Sequence, residues 1–373
     1  MDKKVIGIIG GGQLGRMLTE PAIKLGFDVV VLDPTPNCPA AQVGAQQIEG
    51  SWKDAAKIAE LIERSDFVTI EIEHIDVGAL EQFKDKPINP SPDTIKLIQD
   101  KYNQKVFLKD NQLRTADFSE ITSEDKALEV FEKFGGSMIL KSKTDAYDGR
   151  GNEVVKSKED LEKALNKFSG FGLYAERLVD FQCELAVMVA KDFRGNIKSF
   201  PVVETVHRRN ICEEVYAPAR ISEEIEVQAT SLAERLVAKL DGAGIFGVEL
   251  FLDRNGEVLI NEIAPRVHNS GHYTMDGCET SQFEQHIRAI SGMKLADTTL
   301  TTPTAMVNIL GEREGPVELQ GVNEAKQIPG VSVYLYGKTP TKIDRKMGHI
   351  NATAGTIEEA MNNAKEARRL ISI

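Results

Sequence analysis

Cysteine, long apolar runs and positive charge are all scarce in this chain, and each shortage narrows what it does. The four cysteines, Cys38, Cys183, Cys212 and Cys278, lie far apart with no CxxC pair. That spacing argues against a structural zinc site and for a reducing compartment. No apolar run approaches the roughly 18 residues needed to cross a membrane. The N-terminus, MDKKVIGIIGGG, enters a strand directly, without the small-residue cleavage site of a secretory signal. A cytoplasmic protein without a membrane partner is expected. Lys and Arg number 45 against 57 Asp and Glu, a formal net charge of −12. That balance disfavours broad nucleic-acid binding, and a phosphorylated small substrate would need a locally basic pocket.

What is present is an ordinary globular composition, 41% hydrophobic and 27% charged. With 373 residues, two or three domains are expected. Residues 4–9 read as an apolar strand, Gly10-Gly11-Gly12 as a turn and Gln13 to Leu25 as a helix, followed by a strand at Asp28 to Leu32. A further strand at Phe67 to Ile72 follows a helix around Ala55 to Ile62. Alternating strands and helices predict a parallel, Rossmann-like α/β sheet over residues 1–98, ended by Pro87, Pro90 and Pro92. A helix from about Asp93 to Asn111 leads into a central unit, 99–296. There, strands at Ser137 to Lys143, Leu173 to Arg177, Glu184 to Ala190 and Ile197 to Thr205 predict an antiparallel α+β region. Short strands (AMVNIL, VSVYLYG) and a helix from Ile357 to Leu370 form a small C-terminal unit, 297–373.

The most informative stretch is IFGVELFLDRNGEVLI, Ile245 to Ile260, running into NEIAPRVHNSGHYT, Asn261 to Thr274. Asn255-Gly256 predicts a hairpin with a two-residue turn. In that register Arg254 faces Glu257, Leu252 faces Leu259 and Glu249 faces Glu262. Opposed residues have Cβ atoms ~5 Å apart, so two like charges repel unless a cation sits between them. Carboxylate oxygens suit Mg²⁺, which keeps several waters and is completed by substrate phosphates. The bland alternative is two solvated glutamates on an exposed face.

Other motifs carry less. Gly10-x-Gly12-x-x-Gly15, with Asp33 downstream, matches the dinucleotide fingerprint; such a turn also serves helix packing or another phosphate. Gly337 to Thr339 (GKT) fails the P-loop spacing and lies between short strands. His268 and His272 have a zinc-like spacing, but Ser270 and Gly271 argue against a helix, which favours loop histidines contacting a substrate. Lys141 precedes TDAYDGRGN, a glycine-flanked turn able to fold its N–H groups over phosphates while the lysine neutralises their charge. A flexible surface hairpin is the other reading of that segment.

Together these pieces resemble the ATP-grasp superfamily, and within it the 5-(carboxyamino)imidazole ribonucleotide synthases of purine biosynthesis. The resemblance covers nearly the whole chain. It rests on GGGQLGRM (Gly10 to Met17), EIEH (Glu71 to His74), YDGRG (Tyr147 to Gly151), NEIAPRVHNSGH (Asn261 to His272) and DRKMGH (Asp344 to His349). Asp145-Ala146 departs from the two glycines usual before that tyrosine. The resemblance implies an ATP-grasp fold, with a flap subdomain at about 115–180, between the Rossmann-like and C-terminal units. It also implies ATP, Mg²⁺, bicarbonate and 5-aminoimidazole ribonucleotide as ligands, and a homodimer. No mutase-type domain follows, so release of the N-carboxylated product is expected.

Carried over by motif, the ATP site is similar to Lys101, Lys141, the flap Ala146, Tyr147, Asp148, Gly149, Arg150, Gly151 and Asn152, and the hinge Glu176, Arg177, Leu178 and Val179. Glu184 is matched to the ribose hydroxyls, and His207, Asn261 and Glu262 are matched to the same ATP site. Glu249 and Glu262 match the metal-holding pair. Arg266, His268, Asn269 and Ser270 match a bicarbonate pocket. Gly12, Gln13, Leu14, Glu73, Tyr147, Arg150, Lys338 and Arg345 match residues holding the ribonucleotide. Asp148, Arg266, His268 and Lys338 form the implied catalytic set, with Asp148 or His268 taking the amine proton. The rivals are a formate-dependent glycinamide ribonucleotide transformylase and, from a different class, an NAD-dependent dehydrogenase.

Overall fold

A computed structural model describes residues 3–83, 85–144 and 151–373. The N-terminal sheet contains β1 (Val5–Ile9), β2 (Asp28–Asp33), β3 (Gln46–Glu49) and β4 (Phe67–Ile70), all parallel in the order β3-β2-β1-β4. Helix α1 (Gln13–Lys24) buries Leu14, Met17 and Leu18 against one face. Helix α2 (Ala55–Glu63) buries Ile58, Leu61 and Ile62 against the other, its first turn capped by Asp54. The expected helix over 93–111 is in fact two, α3 (Pro92–Gln99) and α4 (Lys101–Asp110). Asp100 between them is extended, with φ −104° and ψ 107°, and its carboxylate accepts from Asn103 N–H at 2.9 Å. An aspartate that caps a new helix ends the old one.

A small antiparallel sheet follows, of β5 (Phe118–Ile121), β6 (Met138–Ser142), β7 (Asn152–Val155) and β8 (Leu173–Arg177), in the order β5-β8-β6-β7. Helices α5 (Glu124–Lys133) and α6 (Lys158–Lys167) cover it through Phe131, Leu140, Leu161 and Phe168. The rest is one nine-stranded antiparallel sheet: β9 (Phe181–Lys191), β10 (Ile197–Ser199), β11 (Val203–Arg208), β12 (Ile211–Ala217), β13 (Gly244–Asp253), β14 (Val258–Ala264), β15 (Thr304–Leu310), β16 (Val331–Leu335) and β17 (Lys346–Thr353). The expected strand from Ile197 to Thr205 is broken by Phe200-Pro201-Val202, where proline has no N–H for the ladder.

Helix α7 (Glu223–Lys239) covers one face of this sheet, packing Leu232, Leu236 and Val237 on Val187 and Val248. Helix α8 (Gln282–Ser291) covers the other and shares a core with α1: Phe283, Ile287 and Ile290 join Leu14, Leu18 and Met188. The C-terminal strands extend the sheet through β12–β15 pairing, and α9 (Ile357–Leu370) packs on them.

The β13–β14 hairpin differs from the expected one at both ends, and the two differences cancel. Asp253 N–H donates to Glu257 O at 2.9 Å, so the loop is the three residues Arg254, Asn255 and Gly256, with Gly256 at φ 80°. Leu252 therefore pairs with Val258, not Leu259. A β-bulge then inserts Asn261, and beyond it Glu249 does pair with Glu262. The turn is held by Asp253 Oδ1, which accepts from Asn255 N–H and Glu257 N–H at 2.8 Å each. The bulge, together with β13–β9 pairing, separates that turn from the glutamates. Asp253→Ala is expected to lower stability by about 1–2 kcal/mol and leave turnover unchanged. Denaturant melts and steady-state rates check it; a parallel fall in turnover would show that the turn sets the glutamate register.

Candidate active site

Two lysines four residues apart on α4 point the same way, and each meets a carboxylate brought by a different sheet. Glu176 on β8 is 2% exposed. Its Oε2 lies 3.0 Å from Lys105 Nζ and its Oε1 2.7 Å from Lys141 Nζ. Tyr174 OH donates to Oε1 at 3.0 Å. Burial alone would push this carboxyl up, but Lys105 and Lys141 outweigh it and bring it down to about 2. Lys105 Nζ also donates to Thr115 Oγ1 and to the bulge carbonyl of Asn261, both at 2.9 Å. Lys101 Nζ lies 3.0 Å from Glu262.

The paired glutamates are only partly screened, Glu249 being 25% and Glu262 43% exposed in the side chain. Burial and the neighbouring Glu262 push the Glu249 carboxyl up. Burial pushes on Glu262 too, but Lys101 and Lys141 hold its carboxyl below the usual range. Beside them His207 Nδ1 meets Glu184 Oε2 at 2.7 Å. Burial opposes its protonation, yet that contact keeps the imidazole pKa above its ordinary value.

The loop after β14 carries the rest. Arg266 meets Glu73 at 2.8 Å, and its buried Nε has no partner among the described residues. His268 Nδ1 lies 2.8 Å from Ser270 Oγ and accepts from Ser270 N–H at 3.4 Å, which leaves the proton on Nε2, 3.5 Å from Glu249 Oε1. Burial, then the Arg266 charge, hold His268 well below the usual imidazole range. Asn269 and Asn308 exchange carboxamide hydrogen bonds at 3.1 and 2.6 Å, so the Asn269 amide is turned toward β15. A single 3₁₀ turn, Asn269–Gly271, separates His268 from His272, as expected for loop histidines. Among the described residues, no group of three or more His, Cys, Asp or Glu could hold a metal ion.

The glycine loop is filled from within. Gly12 N–H and Gly15 N–H donate to the two Glu71 carboxylate oxygens at 2.5 Å each, and Gly11 N–H donates to Asp33 Oδ2 at 2.9 Å. A pyrophosphate would need the place Glu71 holds, and Asp33 grips the loop in place of a ribose, which removes the support for a dinucleotide. A Cβ at Gly10, where φ is +102°, would stand 2.3 Å from Glu71 Cγ. Leu14 is in the core, while Gln13 Oε1 accepts from Lys338 Nζ across the molecule. Arg345 donates to Pro340 O in its own loop at 2.5 Å.

The structure thus gathers Lys101, Lys141, Glu176, Glu249, Glu262 and His268, and joins Glu73 to Arg266. Arg177 instead turns out to Asp117 at 3.0 Å, and Leu178 and Val179 lie beyond the end of β8. Gly151, at φ +113°, accepts from Ser142 N–H at 2.9 Å, and Asn152 pairs with Lys141. Ala146, Tyr147, Asp148, Gly149 and Arg150 lie outside the described residues. Lys105 and Asn308 escaped the sequence reading, and Glu71 entered it only as part of the EIEH motif, with no role. Lys105 left a trace of its own, four residues after Lys101 on one helix face.

Three family models match the chain: a ribonucleotide synthetase preATP-grasp domain over residues 3–99, an ATP-grasp domain over 106–283 and a phosphoribosylaminoimidazole carboxylase C-terminal domain over 304–363. The chain is 47% identical over 370 residues to the phosphoribosylaminoimidazole carboxylase of Ogataea methanolica, covering 96% of this chain and 68% of that protein. It spans roughly two thirds of the length of such carboxylases. The solved N5-carboxyaminoimidazole ribonucleotide synthetase of Thermotoga maritima is 43% identical with a TM-score of 0.90, covering 99% of both chains. The N5-carboxyaminoimidazole synthase of Aspergillus clavatus, solved with ADP and 5-aminoimidazole ribonucleotide, is 40% identical with a TM-score of 0.92, covering 99% of this chain and 98% of that one.

Replacing Glu176 by Gln keeps its shape and leaves two buried ammonium groups facing each other. Loss of one partner from such a cluster costs about 3–5 kcal/mol, and Glu176→Gln is expected to lower stability at pH 7 by that amount. A carboxylate with a depressed pKa stabilises above its unfolded value and loses that contribution as pH falls through its folded value. The gap between wild type and variant should therefore narrow as pH falls from about 4.5 toward about 2. Denaturant melts at stepped pH check it; a gap independent of pH would deny the charge origin.

Proposed function

The chain belongs to the N5-carboxyaminoimidazole ribonucleotide synthase family of ATP-grasp ligases, and from that premise we propose how its residues carboxylate the exocyclic amine of 5-aminoimidazole ribonucleotide with ATP and bicarbonate. The observation that carries the assignment is the in-register Glu249–Glu262 pair, with Lys101 on one side and the Arg266–Ser270 loop on the other. Two adjacent carboxylates, one pushed up by burial and by the other, fit a divalent cation, and we assign Mg²⁺ to them. When bound, that ion neutralises phosphate oxygens of the nucleotide.

Lys141 and Lys101 face the nucleotide phosphates, Glu184 takes the ribose hydroxyls, and the backbone of Leu178 and Val179 reads the base edge. The Glu176 side chain is already committed to its lysines. Arg266 holds bicarbonate through its Nε, which has no partner among the described residues. A bicarbonate oxygen attacks the γ-phosphorus in line, the bond to ADP breaks, and carboxyphosphate forms; the protein's part is positioning and charge neutralisation. Carboxyphosphate, or CO₂ released from it, is attacked by the amine and phosphate departs. In the tautomer that the Ser270 contacts favour, His268 donates toward an anion. Accepting the amine proton requires it to shed the Nε2 proton, or Asp148 to act instead. Lys338 and Arg345 hold the ribonucleotide phosphate, Lys338 against the Gln13 end of the N-terminal helix. Domain limits at 98 and 296, a cytoplasmic setting and a homodimer complete the proposal.

Phosphate release from ATP, measured with bicarbonate and with or without 5-aminoimidazole ribonucleotide, tests the assignment. Formate replacing bicarbonate productively would point to a transformylase. Glu262→Gln is expected to lower turnover by on the order of a hundredfold and raise the Mg²⁺ requirement without unfolding; wild-type turnover at limiting Mg²⁺ would remove the metal assignment. Arg345→Ala should cost one charge-assisted contact, ~1.5–3 kcal/mol or roughly ten- to a hundredfold in ribonucleotide KM, with the ATP KM much less affected. A variant weakened toward ATP alone would take Arg345 out of the ribonucleotide site.

A further inference from the structure

We propose that Gln282 is a positioning residue that holds the anion-binding loop in place for carboxylation, an inference that rests on the function proposed above. Gln282 opens α8 and is 0% exposed. Its Oε1 accepts from His268 N–H at 2.9 Å, and its Nε2 donates to His268 O at 2.7 Å. One side chain thereby reproduces the two-bond exchange that a neighbouring strand residue would make. The same Nε2 lies 3.2 Å from His272 Nδ1. Gln282 N–H donates to Thr274 Oγ1 at 2.9 Å, and that hydroxyl donates to Gly271 O at 2.7 Å. Both ends of the turn are thus gripped from one point. The fit is close, since a Cβ at Gly271 would stand 2.5 Å from Gln282 Oε1.

One helical turn further on, His286 ties the same helix to the rest of the molecule. Its Nδ1 accepts from Ile245 N–H on β13 at 3.0 Å, which leaves Nε2–H to donate to Thr69 Oγ1 on β4 at 2.8 Å. Just beyond β4 come Glu71, which fills the glycine loop, and Glu73, which meets Arg266. Helix α8 is therefore fixed to the N-terminal sheet at one turn and grips the loop at the turn before. In the proposed reaction the loop presents the activated anion and the N-terminal side presents the amine. Their separation decides the rate, because a displacement of ~1 Å costs on the order of a hundredfold.

The helix also supplies its own control. Gln285, fully buried as well, accepts from Ala296 N–H at 2.9 Å and donates to Ala296 O at 3.0 Å, away from the loop. Three variants separate positioning from mere stability. Gln282→Met keeps length and loses both bonds. Gln282→Glu keeps the acceptor for His268 N–H and loses the donor. Gln285→Met breaks the equivalent clamp elsewhere. Bicarbonate KM, ATP KM and phosphate released per product formed are measured for each.

Gln282→Met is expected to raise the bicarbonate KM about tenfold to a hundredfold and to release surplus phosphate, with the ATP KM within about twofold of wild type. Gln282→Glu should fall between Gln282→Met and wild type, and Gln285→Met should leave all three readouts unchanged. Wild-type enzyme releasing no phosphate in response to bicarbonate would overturn the proposed function and this inference with it. A responsive wild type beside a folded Gln282→Met with unchanged bicarbonate KM and unchanged phosphate-to-product ratio would overturn the inference alone. Equal losses in Gln282→Met and Gln285→Met, or unfolding of both Gln282 variants while Gln285→Met folds, would do the same.

Discussion

A carboxylate removed from water has to be matched by positive charge, and at Glu176 that requirement joins three parts of the molecule. The acid stands on the small sheet, with Lys141 beside it on β6 and Lys105 reaching over from α4. Lys105 spends its remaining hydrogens on Thr115 and on the bulge carbonyl at Asn261, and so fixes the residue that sets the Glu262 register. Buried ion clusters add little net stability compared with well-packed apolar groups, but breaking one is expensive. What this cluster contributes is geometry. It fixes the small sheet, the lysine helix and the strand that carries Glu262 relative to one another.

Much of this was legible in the sequence wherever local pattern and tertiary role agreed. The helix Ile357–Leu370 and the strand Leu173–Arg177 fall where periodicity predicts them. The β12 strand ICEEVYA and the β17 strand KMGHINAT were not found. Each carries polar residues that are buried by partners far away in sequence, Glu214 by Lys365 and Asn351 by Asp276. A period-2 rule counts those positions as solvent-facing and misses the strand. The paired glutamates were read correctly through two errors that offset each other. A two-residue turn was expected where three residues close the hairpin, and the bulge at Asn261 restored the register.

Residue identities in the site were easier to read than their partners. Asp33 has the spacing of a ribose-binding acid, yet its carboxylate grips Gly11 N–H, and Glu71 takes the amides that a phosphate would occupy. Nothing local distinguishes a glycine loop open to a phosphate from one plugged by a glutamate some 56 residues downstream. The same holds for Asn269, which belongs to the most specific motif in the chain and whose amide is spent on Asn308 from another strand. Motifs report which side chains are present, while the fold decides which of them face a ligand.

In this acidic chain the cations of the candidate site are kept in carboxylate or amide company. Lys101 rests on Glu262, Lys141 on Glu176, Arg266 on Glu73, and Lys338 on Gln13. Each pairing holds a long side chain in one orientation, so little reorganisation remains when an anion arrives. It also keeps like charges apart, since Lys101, Lys105 and Lys141 crowd together with acids between them. Such sharing works only while every acid stays where the sheets put it. The shared core of α1 and α8, which packs Leu18 and Met188 together with Phe283, is therefore as much a part of the site as the lysines are.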